Sequence, residues 1–213
     1  MPTPDANDSA IGKWNNWYQG LIPGQENVAL YGEALTYRMA ASFLADVDEV
    51  EDWGCGKGGF RLFYQGKYIG IDGSNTPFAD KIVDLSNYRS SVDGIIIRHV
   101  LEHNYNWDSI LRGALASFRK KLCLIIFTPF SSEVREIAHN KHLGVDAPDL
   151  SLSQSEIEKT FSGVRWRLFK DLKTKSQYNV EHVYCIWRDE SHLPGGRTML
   201  SRLLRRFHIP TSS

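Results

Sequence analysis

The sequence predicts a single α/β domain, a doubly wound mixed sheet of seven strands whose last strand runs antiparallel. Three observations carry this. A turn with four glycines in six residues, Gly54 to Gly59, follows a short extended run and precedes an apolar segment at Phe60. Runs of β-branched and aromatic residues then alternate with helical stretches. The last two runs are joined by a loop too short for a helical crossover, which makes them antiparallel neighbours. At 213 residues the chain suffices for one such domain with a substantial core and is short for two.

In chain order, Met1 to Ala10 is polar and proline-containing and reads as a loosely ordered start. Trp14, Trp17 and Tyr18 follow, then Leu21-Ile22-Pro23-Gly24. This N-terminal segment, residues 1–30, reads either as a helix covering the sheet edge or as a lid over a cofactor pocket. Leu35, Met39 and Phe43 recur at helical spacing and predict a helix over 31–44, at the head of a domain spanning 31–190. Strands are predicted at Glu49–Trp53, Tyr68–Asp72, Lys81–Leu85, Gly94–Arg98, Leu122–Thr128, Arg165–Asp171 and Val180–Trp187. Helices fit at Trp107–Phe118 and at Ser153–Phe161, the latter opening with Ser153 and Glu156 in the spacing of a capping box. The fourth and fifth strands are nearly continuous apolar runs, as parallel strands covered on both faces require. The tail, residues 191–213, sets Arg197, Arg202, Arg205 and Arg206 among leucines and Phe207. It reads as a basic amphipathic helix that packs on the domain or on a second subunit in a homodimer, or that meets an acidic surface.

Composition narrows the function. Lys and Arg number 25 and so do Asp and Glu, so the chain has no bulk positive charge for a nucleic-acid groove. Cys55, Cys123 and Cys185 have no paired spacing and are expected as buried free thiols in a reducing compartment. With no signal-like start and no apolar run of spanning length, a cytoplasmic protein without membrane contact is expected.

The glycine turn reads as a cofactor cradle, because glycines in a strand-to-helix turn let a ligand approach the bare backbone and its N–H groups. Two readings of it compete. Gly54, Gly56 and Gly59 fit the G-x-G-x-x-G spacing of a dinucleotide site, with Asp72 placed for a ribose. Asp52, Gly54, Gly56 and Gly58 fit D-x-G-x-G-x-G, which resembles motif I of the class I S-adenosylmethionine (SAM)-dependent methyltransferases. Three later stretches resemble further motifs of that family, in order: Tyr68-Ile69-Gly70-Ile71-Asp72-Gly73-Ser74, Ile82-Val83-Asp84-Leu85, and Asp93 to His103 with its Val100-Leu101-Glu102-His103. The last is similar to the UbiE or "VLEH" type. Together they cover roughly residues 45–130 and favour the methyltransferase reading. The resemblance implies a Rossmann-like fold and SAM as cofactor. Gly54, Cys55 and Gly56 would approach its methionine part, Asp52 would orient the turn or receive the ammonium group, and Asp72 would accept from the ribose hydroxyls. Asp84 and Leu85 would read the adenine edge, and Gly73 and Arg98 complete the cofactor set.

His99-x-x-Glu102-His103 is the most informative cluster for chemistry. It is similar to the E-x-x-E-H of small-RNA 2′-O-methyltransferases and ubiquinone-pathway O-methyltransferases, which bind a divalent cation, except that His99 replaces the first acid. The resemblance implies Glu102 and His103 as ligands for Mg or Mn, with His139 or His142 completing the set; the alternative is a structural His103 under the loop. A hydroxyl acceptor needs its proton removed, which a neutral histidine does well, so His99 and His142 are the candidate bases. The expected activity is methyl transfer to a hydroxyl of a small acceptor. A saccharide is favoured by the carboxylate-bearing segment after strand five and by Trp14, Trp17, Tyr105 and Trp107 as stacking faces. The chain is also similar in size to bacterial sugar O-methyltransferases. A quinone or other metabolite as acceptor, and an NAD-binding oxidoreductase, are the alternatives.

Overall fold

A computed structural model describes residues 11–18, 30–141 and 145–188. His142 and the basic tail lie outside the described residues. The strands are β1 (Glu49–Trp53), β2 (Lys67–Asp72), β3 (Lys81–Ile82), β4 (Val92–Arg98), β5 (Phe118–Ile126), β6 (Arg135–Asn140), β7 (Ala147–Ser151), β8 (Arg165–Lys173) and β9 (Val180–Trp187). The helices are α1 (Asn15–Tyr18), α2 (Leu35–Phe43), α3 (Trp107–Ser117) and α4 (Gln154–Lys159).

Seven strands form one sheet in the order β3-β2-β1-β4-β5-β9-β8. All neighbours are parallel except at β9, which is antiparallel to both β5 and β8. The predicted mixed seven-stranded sheet is therefore the observed one. Every residue of β4 is buried, and its isoleucines alternate between two cores. Ile95 and Ile97 join Trp53, Leu122 and Leu124 beneath the face that α3 presents through Trp107, Ile110, Leu111 and Ala114. Ile96 joins Val50, Cys123 and Val183 beneath Tyr37, Met39, Ala40 and Phe43 of α2. Each buried isoleucine or leucine contributes about 1.5–3 kcal/mol, so the central strands anchor both layers. Strand order reverses between β1 and β4, which opens a crevice above the carboxyl ends of these two strands.

Several local expectations are corrected. The glycine turn leads not into an α-helix but into a single 3-10 turn, Gly59–Leu62. Glycines at 58 and 59 are poor helix formers, and the chain must return by Lys67 to start β2. The predicted strand 81–85 stops at Ile82 because Asp84 folds its carboxylate onto Ser86 N, 2.9 Å, and Asn87 Nδ2, 2.9 Å. Strand five begins four residues early, at Phe118, because α3 runs straight into it. Ser153 does stand at the N-cap of α4, but no capping bond forms. Its hydroxyl contacts Ser155 Oγ at 3.1 Å and Ser132 O at 3.3 Å. No strand is predicted in the segment after strand five, where β6 and β7 pair as a separate antiparallel hairpin. Pro148 within β7 hides that strand from propensity. The three cysteines are free and buried, as expected.

Candidate active site

The glycine turn sits over the carboxyl ends of β1 and β2. Gly54 N and Cys55 N both donate to Ile71 O, at 2.7 and 3.0 Å, which clamps the turn to β2. Gly54 has φ 78°, and a Cβ there would overlap Val100 Cγ2, so only glycine fits. Asp72 completes the clamp. Its Oδ2 accepts from Gly56 N at 2.9 Å and its Oδ1 from Ser74 N at 2.8 Å. Burial raises its carboxyl to about 6 against the pull of these amides. Asp52, at the end of β1, is buried with Tyr68 OH donating to Oδ2 at 2.9 Å. Burial pushes Asp52 up to about 7, with the Asp72 charge adding to it.

Residues 11–18 lie across this cradle. Gly12 N donates to Gly73 O at 2.7 Å, Trp14 N to Ser74 Oγ at 2.9 Å, and Asn75 N to Asn15 Oδ1 at 2.7 Å. Three hydrogen bonds thus pin the segment to the turn after β2. Trp14 meets His103 edge-on at 5.0 Å, and the Tyr18 hydroxyl lies where a Cβ on Gly56 would meet it at 3.1 Å. Lys57 Nζ stands 4.9 Å over the Tyr31 ring, beside the same opening.

The end of β4 turns sharply at His99, whose φ is 56°. Its Nε2 lies 2.6 Å from Glu181 Oε1 on β9, and Arg98 Nη2 donates to the same oxygen at 2.7 Å. Burial, with the Arg98 cation beside it, holds His99 neutral and pulls its pKa down to about 3. Arg98 also reaches Tyr37 OH at 3.0 Å and Tyr31 O at 2.9 Å, so its guanidinium is held by the protein on several sides. Next comes a 3-10 turn, Leu101–His103. Glu102 is fully buried and Oε1 accepts from Phe127 N at 2.6 Å, while burial raises its carboxyl to about 7. His103 turns toward the hairpin: Nδ1 lies 3.0 Å from Pro148 O and 3.1 Å from Asp149 Oδ1. Burial opposes its charged form, but the hydrogen bond and charge of Asp149, with the Glu102 charge, raise it above the usual histidine range.

A cavity of about 430 Å³ joins these parts. Of the predicted residues, Asp52, Gly54, Cys55, Gly56, Asp72, Gly73, Leu85, Arg98, His99 and His103 line it. Asp84 is not in its wall, because its carboxylate is spent on its own turn. Glu102 is not in the wall either. Its Oε1 accepts from a backbone amide while Oε2 is buried without a partner, His103 faces the hairpin, and His139 is paired with Glu136 at 2.8 Å and Asp146 at 2.5 Å. Among the described residues no three His, Cys, Asp or Glu side chains gather as a cation site, so the expected Mg or Mn finds no support there. Of the expected stacking faces, Trp14 and Trp17 line the cavity, Trp107 is buried in the core, and Tyr105 lies outside with its hydroxyl on Glu136. Sequence reasoning missed Tyr31, Phe127, Asn140, Lys175 and Gln177, which supply much of the remaining wall. None lies in a motif.

The strand order and the cradle define a class: this is the fold of the class I SAM-dependent methyltransferases. Solved structures with this fold include the 1,6-didemethyltoxoflavin-N1-methyltransferase of Burkholderia thailandensis with bound 1,6-didemethyltoxoflavin and S-adenosylhomocysteine. It shares 14% identity at a TM-score of 0.57, over 74% of this chain and 79% of that one. The magnesium protoporphyrin IX methyltransferase of Synechocystis PCC 6803, with bound S-adenosylhomocysteine, shares 15% identity at a TM-score of 0.51, over 72% and 82%. An O-methyltransferase family protein of Burkholderia thailandensis shares 11% at 0.53, over 73% and 56%. No family model and no curated protein matches the sequence. No helix among the described residues is long and apolar enough to cross a membrane.

Proposed function

We propose that this protein is a SAM-dependent methyltransferase acting on a hydroxyl of a small polar acceptor, with saccharides the favoured class. One observation carries the reading: the glycine-rich turn clamped by Asp72 opens directly into the cavity walled by His99, His103 and Trp14. SAM, when bound, supplies a methyl group on a positively charged sulfur, already a good electrophile. The work left to the protein is binding, in-line positioning and removal of one proton.

The residues divide accordingly. Gly54, Cys55 and Gly56 present backbone to the methionine part, and Asp52 receives its ammonium group. Asp72 turns its carboxylate to the ribose while keeping the glycine turn in register, and Leu85 packs on the adenine side. Trp14, Trp17 and Tyr18 cover the cofactor as a lid. At the acceptor end Asn140 and Gln177 offer hydrogen bonds, and Trp14 offers a flat face, a combination suited to a polyhydroxylated ring. A histidine of the same wall takes the acceptor proton.

Calorimetric titration with S-adenosylhomocysteine, with NAD as control, tests the reading. Binding of the former alone is the expected result, followed by radiolabelled methyl transfer across a panel of monosaccharides and catechols. Binding of NAD alone would overturn it.

A further inference from the structure

We propose that His103 and Asp149 form a catalytic dyad, with His103 Nε2 as the atom that removes the acceptor proton. The inference rests on the methyl-transfer reading and names its base. Asp149, on β7, has no exposed surface, yet it is fully satisfied. Oδ1 faces His103 Nδ1 at 3.1 Å and accepts from Asn140 Nδ2 at 2.8 Å. Oδ2 accepts from Tyr178 OH at 2.8 Å and Gln177 Nε2 at 3.0 Å. An ionised carboxylate is acceptor-only with about four lone-pair sites, and donors from three separate segments fill them. Such a group is held ionised and immobile, and the hydrogen bonds of Asp149 accordingly hold its carboxyl below the usual range against burial.

The carboxylate fixes the ring. With Nδ1–H shared between Asp149 Oδ1 and Pro148 O, the proton of neutral His103 is placed on Nδ1 and its lone pair on Nε2. Nε2 has no partner among the described residues and is not among the fully buried unpaired atoms. The ring lines the cavity between Trp14, at 5.0 Å, and Phe127, at 5.4 Å. His99 offers the opposite environment. Its carboxylate partner Glu181 is shared with the Arg98 cation, which opposes a second positive charge on the ring. Among the described residues two histidines thus line the cavity, and of these only His103 stands against an anion that no described Lys or Arg contact neutralises. His99 serves to position the acceptor.

In the step that follows, the acceptor oxygen forms a bond to the methyl carbon as the carbon–sulfur bond breaks. The electron pair stays on sulfur, S-adenosylhomocysteine is the leaving group, and the hydroxyl proton passes to His103 Nε2. Asp149 stabilises the resulting imidazolium without taking the proton. The β6–β7 hairpin, which contributes both Asp149 and Asn140, is on this view a catalytic insertion.

The test uses the full chain with labelled histidine rings, followed by long-range nitrogen–proton NMR at about pH 8, where a neutral ring reports its tautomer. The ring signal lost in His103→Gln is expected to be Nδ1-protonated with a bare Nε2, and Asp149→Asn should remove that preference. An Nε2-protonated His103 in the unaltered protein overturns the dyad. In transfer assays His103→Gln should lower kcat about 10²- to 10⁴-fold with the KM for SAM unchanged, and undiminished turnover overturns the assignment. Asp149→Asn should lower kcat in the same direction while still binding S-adenosylhomocysteine, which separates loss of chemistry from loss of fold. The tautomer is read with and without S-adenosylhomocysteine. If the protein binds no S-adenosylhomocysteine the methyltransferase reading fails, and the tautomer still decides the dyad.

Discussion

Gly54→Ala probes the cradle where it has least room. At φ 78° an alanine would adopt the left-handed region, at about 1–2 kcal/mol. Its Cβ would also overlap Val100 Cγ2, with Val100 Cβ and Cγ1 each at 3.4 Å. Relieving that overlap means overpacking a residue only 8% exposed, which costs about a further 1–3 kcal/mol. The sum is about 2–5 kcal/mol, or a Tm lower by roughly 10 °C for a domain of this size. Backbone and steric parts are separable in a double-mutant cycle. Val100→Ala frees the space but leaves φ unchanged, so Gly54→Ala should be milder in the Val100→Ala background by about 1–3 kcal/mol. Urea unfolding of the four proteins measures this, and S-adenosylhomocysteine titration of the same samples should show binding lost in Gly54→Ala. If Gly54→Ala unfolds within about 0.5 kcal/mol of the parent and binds with unchanged affinity, the turn is not the tight cradle described.

Three further predictions follow from the buried charges and the cover. Asp52 is raised to about 7, above its unfolded value, so its stabilising contribution is complete in acid and is lost as pH rises through about 7. Asp52→Asn should therefore gain stability relative to the parent between about pH 4 and pH 7, and parallel unfolding curves across that range would refute it. If the cofactor's ammonium group sits against Asp52, binding must also release a proton near neutrality, read by titration in buffers of different ionisation enthalpy. Arg98→Met would strand Glu181, whose Oε2 already lacks a partner, in the core. It should cost about 3–5 kcal/mol, and Glu181→Gln in the same chain should recover part of that. Trp14→Ala should weaken S-adenosylhomocysteine binding about threefold to tenfold through loss of the aromatic cover, and an unchanged dissociation rate would leave residues 11–18 without a lid function.

The glycine-turn half of the cavity was legible because its parts are local. Asp52, the glycine turn and Asp72 lie within two adjacent strands and one connection, so spacing alone places them together. The antiparallel pairing of the last two strands followed from one short loop for the same reason. Where a residue's partner is distant, the sequence leaves the contact unread. The Arg98–Glu181 pair spans 83 positions, and the turn of Asp84 onto Ser86 leaves no trace in apolar periodicity. His99, Glu102 and His103 read as one cluster, a candidate base beside two candidate ligands, because they are close in sequence. Proximity of that kind is not convergence of side chains. A left-handed residue at 99 and a 3-10 turn at Leu101–His103 send the three apart. His99 goes to β9, Glu102 to the amide of Phe127, and His103 to a hairpin 45 residues on. What aims each one is a buried acceptor or amide supplied by another element, and that is why closeness in sequence did not bring the three side chains onto one point.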